Sequence, residues 1–246
     1  MELYLITGFL GAGKTTFLKN FARQFAGRRL RLIINEFGRA GVDGTLLREL
    51  DAALDEISNG SIFCACRLDQ FEAALEQAAA DAPDVVLVEA SGLADPTNVR
   101  RVLAQFPAVS YQGSVCVADA ARLEKVFSTA RACPRQLAVS SLVLLNKTDL
   151  ATEAQCAEAK ALILRANPAA RIRRTQLGRF EPEWLSLIVP DVDVDEVLDM
   201  PDITLQKAVL QIRPTMPFAA LQKCLVQLAG ETWRIKGFVR VPEGIF

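Results

Sequence analysis

The chain has 246 residues, of which 51% are hydrophobic and 23% charged, a composition typical of a packed globular protein and not of a disordered one. Its 28 basic and 29 acidic residues give a formal net charge of -1, so no overall field favours nucleic acid or an anionic membrane as a partner. Because the chain has six cysteines and no histidine, a transition metal would have to be bound by thiolate, carboxylate or backbone groups.

The start of the chain bears on the cellular compartment. An apolar run begins at Leu3, which leaves no room for a secretory signal peptide. No apolar stretch approaches the roughly 18 residues that a membrane span needs. We therefore expect a cytoplasmic protein with reduced thiols, acting on neither membrane nor nucleic acid.

Short apolar runs alternate with longer amphipathic ones, which predicts an α/β fold with a mostly parallel sheet flanked by helices. The predicted strands are Leu3–Thr7, Leu30–Asn35, Val85–Glu89, Gly113–Asp119 and Val139–Asn146. The predicted helices are Lys14–Phe25, Leu68–Ala80, Thr97–Phe106 and Thr152–Ala166. These elements belong to a main domain predicted over residues 1–188.

A small α+β appendage is predicted over residues 204–246, after an acidic linker at 189–203. Between Pro190 and Asp202 the chain carries six acids and no basic residue, which favours a solvated linker over a cation site. Leu205–Arg213 and Trp233–Val241 are typical of strands. Between them, a helix is predicted from apolar residues on one face: Phe218, Leu221, Leu225 and Leu228.

The segment from Gly8 to Thr16 reads G-F-L-G-A-G-K-T-T and fits the pattern G-x-x-x-x-G-K-[ST] between a predicted strand and a predicted helix. Backbone amides of such a P-loop point at phosphate oxygens, and the helix N-terminus favours negative charge. Lys14 is expected to reach the β- and γ-phosphates and Thr15 to ligate magnesium. The other predicted nucleotide-binding residues of the loop are Gly8, Gly11, Ala12, Gly13 and Thr16.

A second motif, Asn146-Lys147-Thr148-Asp149, follows an apolar strand, at the edge where open α/β sheets bind ligands. An ionised Asp149 only accepts hydrogen bonds, and guanine offers adjacent N1–H and N2–H donors where adenine has a lone pair at N1. Asn146, Lys147 and Asp149 are therefore predicted to select guanine nucleotides, GTP and GDP.

A third candidate site lies between these motifs, at the end of the run Asp84-Val-Val-Leu-Val-Glu89. A carboxylate at that strand end can hold magnesium directly or through water. The N–H of Gly92, three residues later, can contact the γ-phosphate. Glu89 is therefore predicted as a catalytic and magnesium-binding residue, the alternative being a solvated strand-end acid.

With these three sites the chain resembles the CobW group of P-loop GTPases, relatives of the HypB and UreG metal-centre assembly proteins. Its most family-specific pieces are Asn35-Glu36-Phe37-Gly38 and Glu89-Ala-Ser-Gly-Leu-Ala-Asp95-Pro96. The resemblance implies a switch I around Asn35–Asp43, a switch II around Ser91–Pro96, and GTP hydrolysis that is slow without a partner. It also implies a catalytic role for Glu36 near the attacking water or magnesium, which is favoured over the alternative of an ordinary loop acid.

The chain departs from the family at its metal motif. Where the family usually has C-x-C-C, the sequence reads Ser61-Ile62-Phe63-Cys64, with Cys66 two residues later. A Cys64-x-Cys66 pair supplies half of a tetrahedral site for Zn²⁺ or Co²⁺. The alternative interpretation is two small, partly buried apolar residues. Arg39 also stands where the family has an acid.

The sequence thus predicts a magnesium-dependent GTPase that acts as a metallochaperone or as an assembly factor for a metalloenzyme or cofactor-dependent client, with a homodimer as one possible state. The alternative is a GTP-dependent regulatory switch that gates a metal- or corrinoid-containing client without delivering metal. A small-molecule kinase shares the P-loop, but the sequence offers no identifiable acceptor base, and Asn-Lys-Thr-Asp argues against ATP.

Overall fold

The computed structural model describes residues 1–36, 52–58, 68–190, 216–231, 240–242 and 244–245. The chain divides into two compact units, Met1–Ile203 and Thr204–Phe246, which we describe separately. Most of the predicted acidic linker lies outside the described residues, so its assignment stays a prediction.

Seven strands of the first unit form one sheet, in the order β3-β2-β4-β1-β5-β6-β7, and each neighbouring pair is parallel. They are β1 (Glu2–Thr7), β2 (Leu30–Glu36), β3 (Ala53–Ser58), β4 (Val85–Glu89), β5 (Ser110–Asp119), β6 (Leu142–Asn146) and β7 (Arg171–Arg174). The predicted α/β fold with a mostly parallel sheet is therefore confirmed.

The sequence misses the two edge strands and misplaces the start of β6. β3 reads A-L-D-E-I-S and β7 reads R-I-R-R, so neither contains the apolar run that identifies a buried strand. The strand predicted from Val139 begins only at Leu142, because a helix runs to Ala138 and the Ser140 hydroxyl donates to the Gln136 carbonyl at 2.8 Å.

Within its described residues, the first unit has the helices α1 (Lys14–Ala22), α2 (Leu68–Asp81), α3 (Val99–Leu103), α4 (Leu123–Thr129), α5 (Ala132–Ala138) and α6 (Glu153–Ala166). Short 3-10 turns follow at Arg23–Phe25, Thr148–Leu150 and Pro182–Leu187. All four predicted helices are present; α1, α3 and α6 are shorter than predicted, and α2 is one residue longer. α6 begins where expected because Thr152 and Gln155 form a reciprocal capping box. The sequence does not predict α4 and α5, whose seven residues each give too little periodicity.

Alternation along β1 separates two apolar cores, one on each face of the sheet. Tyr4 and Ile6 pack with α1, whereas Leu3 and Leu5 pack with α2 and α3. The central strands are apolar on both sides, as parallel sheets covered by helices are. This double cover fixes the carboxyl ends of β1, β4, β5 and β6, where the predicted motifs lie.

The second unit contains α7 (Phe218–Glu231) and a hairpin of β8 (Arg240–Val241) with β9 (Gly244–Ile245), paired antiparallel. The predicted helix is present, and Leu221 on its apolar face is buried. Leu205–Arg213 and most of Trp233–Val241 lie outside the described residues. Across the described parts of the chain, no helix is both long enough and apolar enough to cross a membrane.

Candidate functional site

The loop between β1 and α1 needs glycine for steric reasons at both of its ends. Gly8 has φ 132°, and a Cβ there would lie 2.2 Å from the Val117 carbonyl oxygen of β5. Gly13 has φ 103°, and its Cβ would lie 2.5 Å from Nδ2 of Asn146. Gly11 adopts φ 75° with open space around it. The loop therefore has a backbone that L residues seldom adopt, pressed closely against β5 and β6.

Lys14 and Thr15 begin α1 directly after this loop. Nζ of Lys14 donates to the carbonyl of Phe9 at 3.3 Å and is buried with its side chain, so the cation is held over the loop. Thr15 and Thr16 are exposed at the helix N-terminus.

The predicted magnesium pair is adjacent in space. Oγ1 of Thr15 donates to Oε1 of Glu89 at 3.2 Å, although 74 positions separate them. Glu89 ends β4 and is only 7% exposed. A hydroxyl and a carboxylate side by side form a hard-oxygen donor set, the kind that Mg²⁺ prefers. These residues therefore fit the ion that the P-loop fold implies.

Asn146 joins the phosphate loop to the segment that follows β7. Its Nδ2 donates to the Ala12 carbonyl at 2.9 Å, and its Oδ1 accepts from the Gly178 amide at 3.0 Å. Gly178 lies just after β7, and a Cβ there would approach the Phe17 amide nitrogen to 2.7 Å. The predicted base-recognition motif thus touches the predicted phosphate loop.

Lys147 and Asp149 of the same motif differ in exposure. Nζ of Lys147 donates to the Gly11 carbonyl and to Oδ2 of Asp119, both at 2.7 Å. Asp149 is exposed at the rim, in the 3-10 turn. It is therefore open to a ligand from solvent.

The segment after β4 is held by α5 and, through Ser91, by the Asn35 side chain of β2. Nε2 of Gln136 donates to the carbonyls of Gly92 and Ala94 at 3.2 and 3.0 Å. A Cβ on Gly92 would lie 2.6 Å from Cδ2 of Leu10, so the segment also abuts the phosphate loop.

Burial raises the pKa of Asp95, but hydrogen bonds from Thr97 and Arg135 outweigh it and hold that pKa below its ordinary value.

Four cysteines fall within the described residues. Cys116, Cys133 and Cys156 are buried, and Cys224 is exposed. Burial raises the pKa of the Cys116 thiol to about 12, so it is not a thiolate at neutral pH. The described residues contain no group of three or more Cys, Asp or Glu side chains placed to hold a metal ion.

Some predicted site residues fall outside this description. Cys64 and Cys66 lie outside the described residues. Glu36 is the last residue of β2, and its side chain also lies outside them. Their predicted roles stay predictions.

Sequence reasoning missed several residues that the structure brings to the site: Asp119, Arg135, Gln136 and Gly178. Asp119 carried a usable signal, because it ends an apolar strand as Glu89 does. Gln136 and Gly178 gave none, since their contacts depend on chain segments more than 30 positions away.

A glycine loop between the first strand and first helix of a parallel sheet, facing an Asn-Lys-x-Asp motif, defines a P-loop nucleotide-binding protein. The model of the CobW/HypB/UreG nucleotide-binding domain family matches residues 2–174. The chain belongs to this family.

Its relatives include proteins named for zinc. The chain is 32% identical over 206 residues to the zinc chaperone CobW of Pseudomonas aeruginosa, covering 69% of this chain and 55% of that protein. It is 26% identical over 226 residues to the zinc chaperone YjiA of Escherichia coli, covering 88% and 66%. It is 27% identical over 209 residues to the zinc-regulated GTPase metalloprotein activator 1 of Schizosaccharomyces pombe, covering 80% and 48%. The chain therefore spans only about half to two thirds of these relatives.

Solved structures of this fold agree. Zn(II)-bound YjiA GTPase from E. coli superposes with a TM-score of 0.57 at 22% identity, covering 82% of this chain and 66% of that one. The hydrogenase maturation factor HypB of Archaeoglobus fulgidus gives 0.51 at 22% identity, covering 76% and 87%. At this identity the likeness shows the fold alone.

Proposed function

We propose that the protein binds GTP with magnesium in the P-loop site and hydrolyses it to GDP and phosphate. The observation that carries this is the contact of Asn146 and Lys147 with Ala12 and Gly11, which places the base-recognition motif against the phosphate loop. Asp149 then faces the guanine N1–H and N2–H donors. The name of the S. pombe relative as a GTPase supports the same nucleotide.

Hydrolysis at this site would depend mainly on positioning and charge neutralisation. A magnesium ion held by Thr15 and Glu89 would neutralise phosphate charge. Lys14, buried over the loop, adds a fixed cation near the β- and γ-phosphates. Gly92 and Glu36 are the candidates for contact with the γ-phosphate and the attacking water. We expect hydrolysis to be slow without a partner, as the resemblance to the CobW group implies.

A substitution at Lys14 tests the phosphate site. Lys14→Ala removes the main cation facing about two units of phosphate charge, so tight triphosphate binding should be lost. Binding is measured by fluorescence titration with a labelled GTP analogue. Wild-type affinity in this variant would contradict the P-loop assignment.

We also propose that the nucleotide cycle serves metal delivery to a client metalloenzyme or cofactor-dependent protein in the cytoplasm. Relatives named as zinc chaperones support this role. In this chain the cargo would be one soft divalent ion, zinc or cobalt, bound through Cys64 and Cys66. Two thiolates leave a tetrahedral ion two ligands short, and the chain has no histidine to supply them. A homodimer pairing two such half-sites would close the shell.

The metal proposal is tested by titrating zinc into the GTP-bound protein while following mass by light scattering. We expect at most one ion per chain or per dimer, lost in Cys64→Ser and in Cys66→Ser. Cys224→Ser is the matched control, because Cys224 is the exposed cysteine of the described residues and should not affect binding. Tight binding that survives both test substitutions would place the site elsewhere.

A second function, favoured by the incomplete C-x-C-C motif, is a GTP-dependent regulatory switch. Ser61 and Phe63 stand where the family usually has cysteine. Such a protein would gate a metal- or corrinoid-containing client by binding it in one nucleotide state, without carrying metal. A wild-type protein that binds GTP but no zinc in the titration would favour this function.

A further inference from the structure

We propose that Asp119 is a positioning residue of the nucleotide site, which holds Lys147 against the phosphate loop. This inference rests on the proposed guanine-nucleotide function. Asp119 ends β5, and its Oδ2 accepts from Nζ of Lys147 at 2.7 Å. The side chain of Asp119 is 11% exposed and that of Lys147 32%. The pair is therefore more shielded from water than a surface ion pair, and its charge-assisted bond is correspondingly stronger.

The backbone of Lys147 explains why a second anchor is needed. Lys147 adopts φ 60° and ψ 36°, in the left-handed region that L residues seldom occupy. This conformation turns the chain between Asn146 and Asp149, the two residues assigned to the phosphate loop and the base. It persists only where surrounding contacts hold it.

Two acceptors hold the Lys147 ammonium from different elements. One is the Gly11 carbonyl in the phosphate loop, and the other is the Asp119 carboxylate on β5. Gly11 is exposed, and a Cβ added there would meet no atom within 4 Å. Asp119 is the more shielded of the two acceptors, with a side chain only 11% exposed.

Asp119 is itself fixed at several atoms. Its Oδ1 accepts from the Ala121 amide at 3.1 Å while Oδ2 holds Lys147. Its backbone carbonyl accepts from the Arg122 amide at 3.1 Å. The next amide, of Ala120, donates to the Asn146 carbonyl at 2.9 Å. The end of β5 is thus bonded to both the backbone and the side chain of the base-recognition motif.

It follows that Asp119 sets the distance between the base and phosphate halves of the site. Without its carboxylate, the Lys147 ammonium keeps the Gly11 carbonyl as its one acceptor among the described residues, and both loops can move. The expected effect is on nucleotide retention, because Asp119 holds Lys147, which lies between Asn146 and Asp149 of the base-recognition motif.

The test is the release rate of fluorescent GDP from the purified full chain. Loss of a bond to a charged group is typically worth about 1.5–3 kcal/mol, so Asp119→Ala should release GDP about 10- to 100-fold faster. Asp119→Asn keeps an acceptor and the shape, so its effect should be smaller. Glu153→Gln is the matched control, because it removes a carboxylate from an exposed pair with Arg174.

A double variant separates positioning from general destabilisation. If Asp119 acts through Lys147, then Asp119→Ala combined with Lys147→Met should release GDP no faster than Lys147→Met alone. A merely structural role would give additive effects. Additive release rates, or release from Asp119→Ala and Asp119→Asn within twofold of wild type, would overturn the inference. A wild-type chain that binds no guanine nucleotide would overturn the proposed function and this inference together.

Discussion

The backbone N–H of Ser91 donates to Oδ1 of the Asn35 side chain at 3.3 Å. Nδ2 of the same Asn35 side chain donates to the Ile57 carbonyl at 3.0 Å. One side chain, 2% exposed, thus joins β2, the end of β3 and the segment after β4. Both bonds are buried, so neither partner can exchange its bond for one to water. The position of Ser91 relative to Glu89 therefore depends on Asn35.

Replacing Asn35 by alanine should destabilise the protein and slow hydrolysis. Leaving a buried amide and a buried carbonyl unbonded costs about 1–3 kcal/mol each, measured as a lower free energy of unfolding in urea. Displacing the segment after β4 should also reduce GTP turnover by about tenfold or more. The matched control is Asn167→Ala, which removes a buried amide bonded to Leu137, Ala138 and Ser140. That variant should unfold more easily but keep the turnover of the folded protein. Equal turnover losses in both variants would contradict the role given to Asn35.

Gly13→Ala should disrupt the contact between the phosphate loop and Asn146. The added methyl group would lie 2.5 Å from Nδ2 of Asn146, which must move and release the Ala12 carbonyl. Gly27→Ala isolates the backbone strain, because Gly27 has φ 84° with no atom within 4 Å of the added Cβ. The control should lose only about 1–2 kcal/mol of stability. Thermal unfolding and GTP affinity compare the two, and similar values for both would argue against the close approach described here.

Asp149→Asn should change base preference. An asparagine amide can donate to the oxygen that xanthine carries where guanine has its amino group, so xanthosine triphosphate should gain and GTP lose affinity. Matched polar groups in a buried site can discriminate between ligands by about 10⁴-fold. The variant should lose most of its preference for GTP. Competition of GTP, ATP and xanthosine triphosphate for the purified variant measures the change. An unaltered GTP preference would remove the base-recognition role of Asp149.

The ion pair between Asp95 and Arg135 predicts a pH dependence of stability. Because the pKa of Asp95 is lowered on folding, its contribution is present above the ordinary carboxyl pKa and is lost as pH falls through the lower folded value. The loss should therefore begin below about pH 4. Asp95→Asn and Arg135→Gln should be less stable than wild type at neutral pH and show a flatter dependence in acid. Urea unfolding between neutral pH and pH 3 tests this, and parallel curves for all three proteins would exclude the pair as a contributor.

The sequence predicts those parts of the site that are encoded locally. Lys14, Thr15, Asn146 and Asp149 belong to motifs of a few consecutive residues whose spacing alone suggests their chemistry. The Lys147–Asp119 contact spans 28 positions and depends on the neighbouring order of β5 and β6, which residue spacing does not specify.

The same limit applies to the fold. Buried strands are recognised in the sequence by their continuous apolar residues. β7 is an edge strand whose four residues are all at least partly exposed. Its R-I-R-R sequence therefore carries no apolar pattern to detect. Helices as short as α4 and α5 fail for a related reason, since two turns hold too few apolar positions to establish a period.

The residue at which the family match ends is not the residue at which the packed unit ends. The match stops at residue 174, yet Phe180 packs edge-on against Phe21 of α1, with ring centroids 4.9 Å apart, and Trp184 packs against Phe180. Farther on, the Val189 amide donates to the Ser141 hydroxyl at 3.0 Å. A fragment cut at residue 174 would lack Phe180 and would expose Phe21 of α1 to water. The smallest stable fragment of this unit should therefore extend to about Val189, 15 residues beyond the end of the family match.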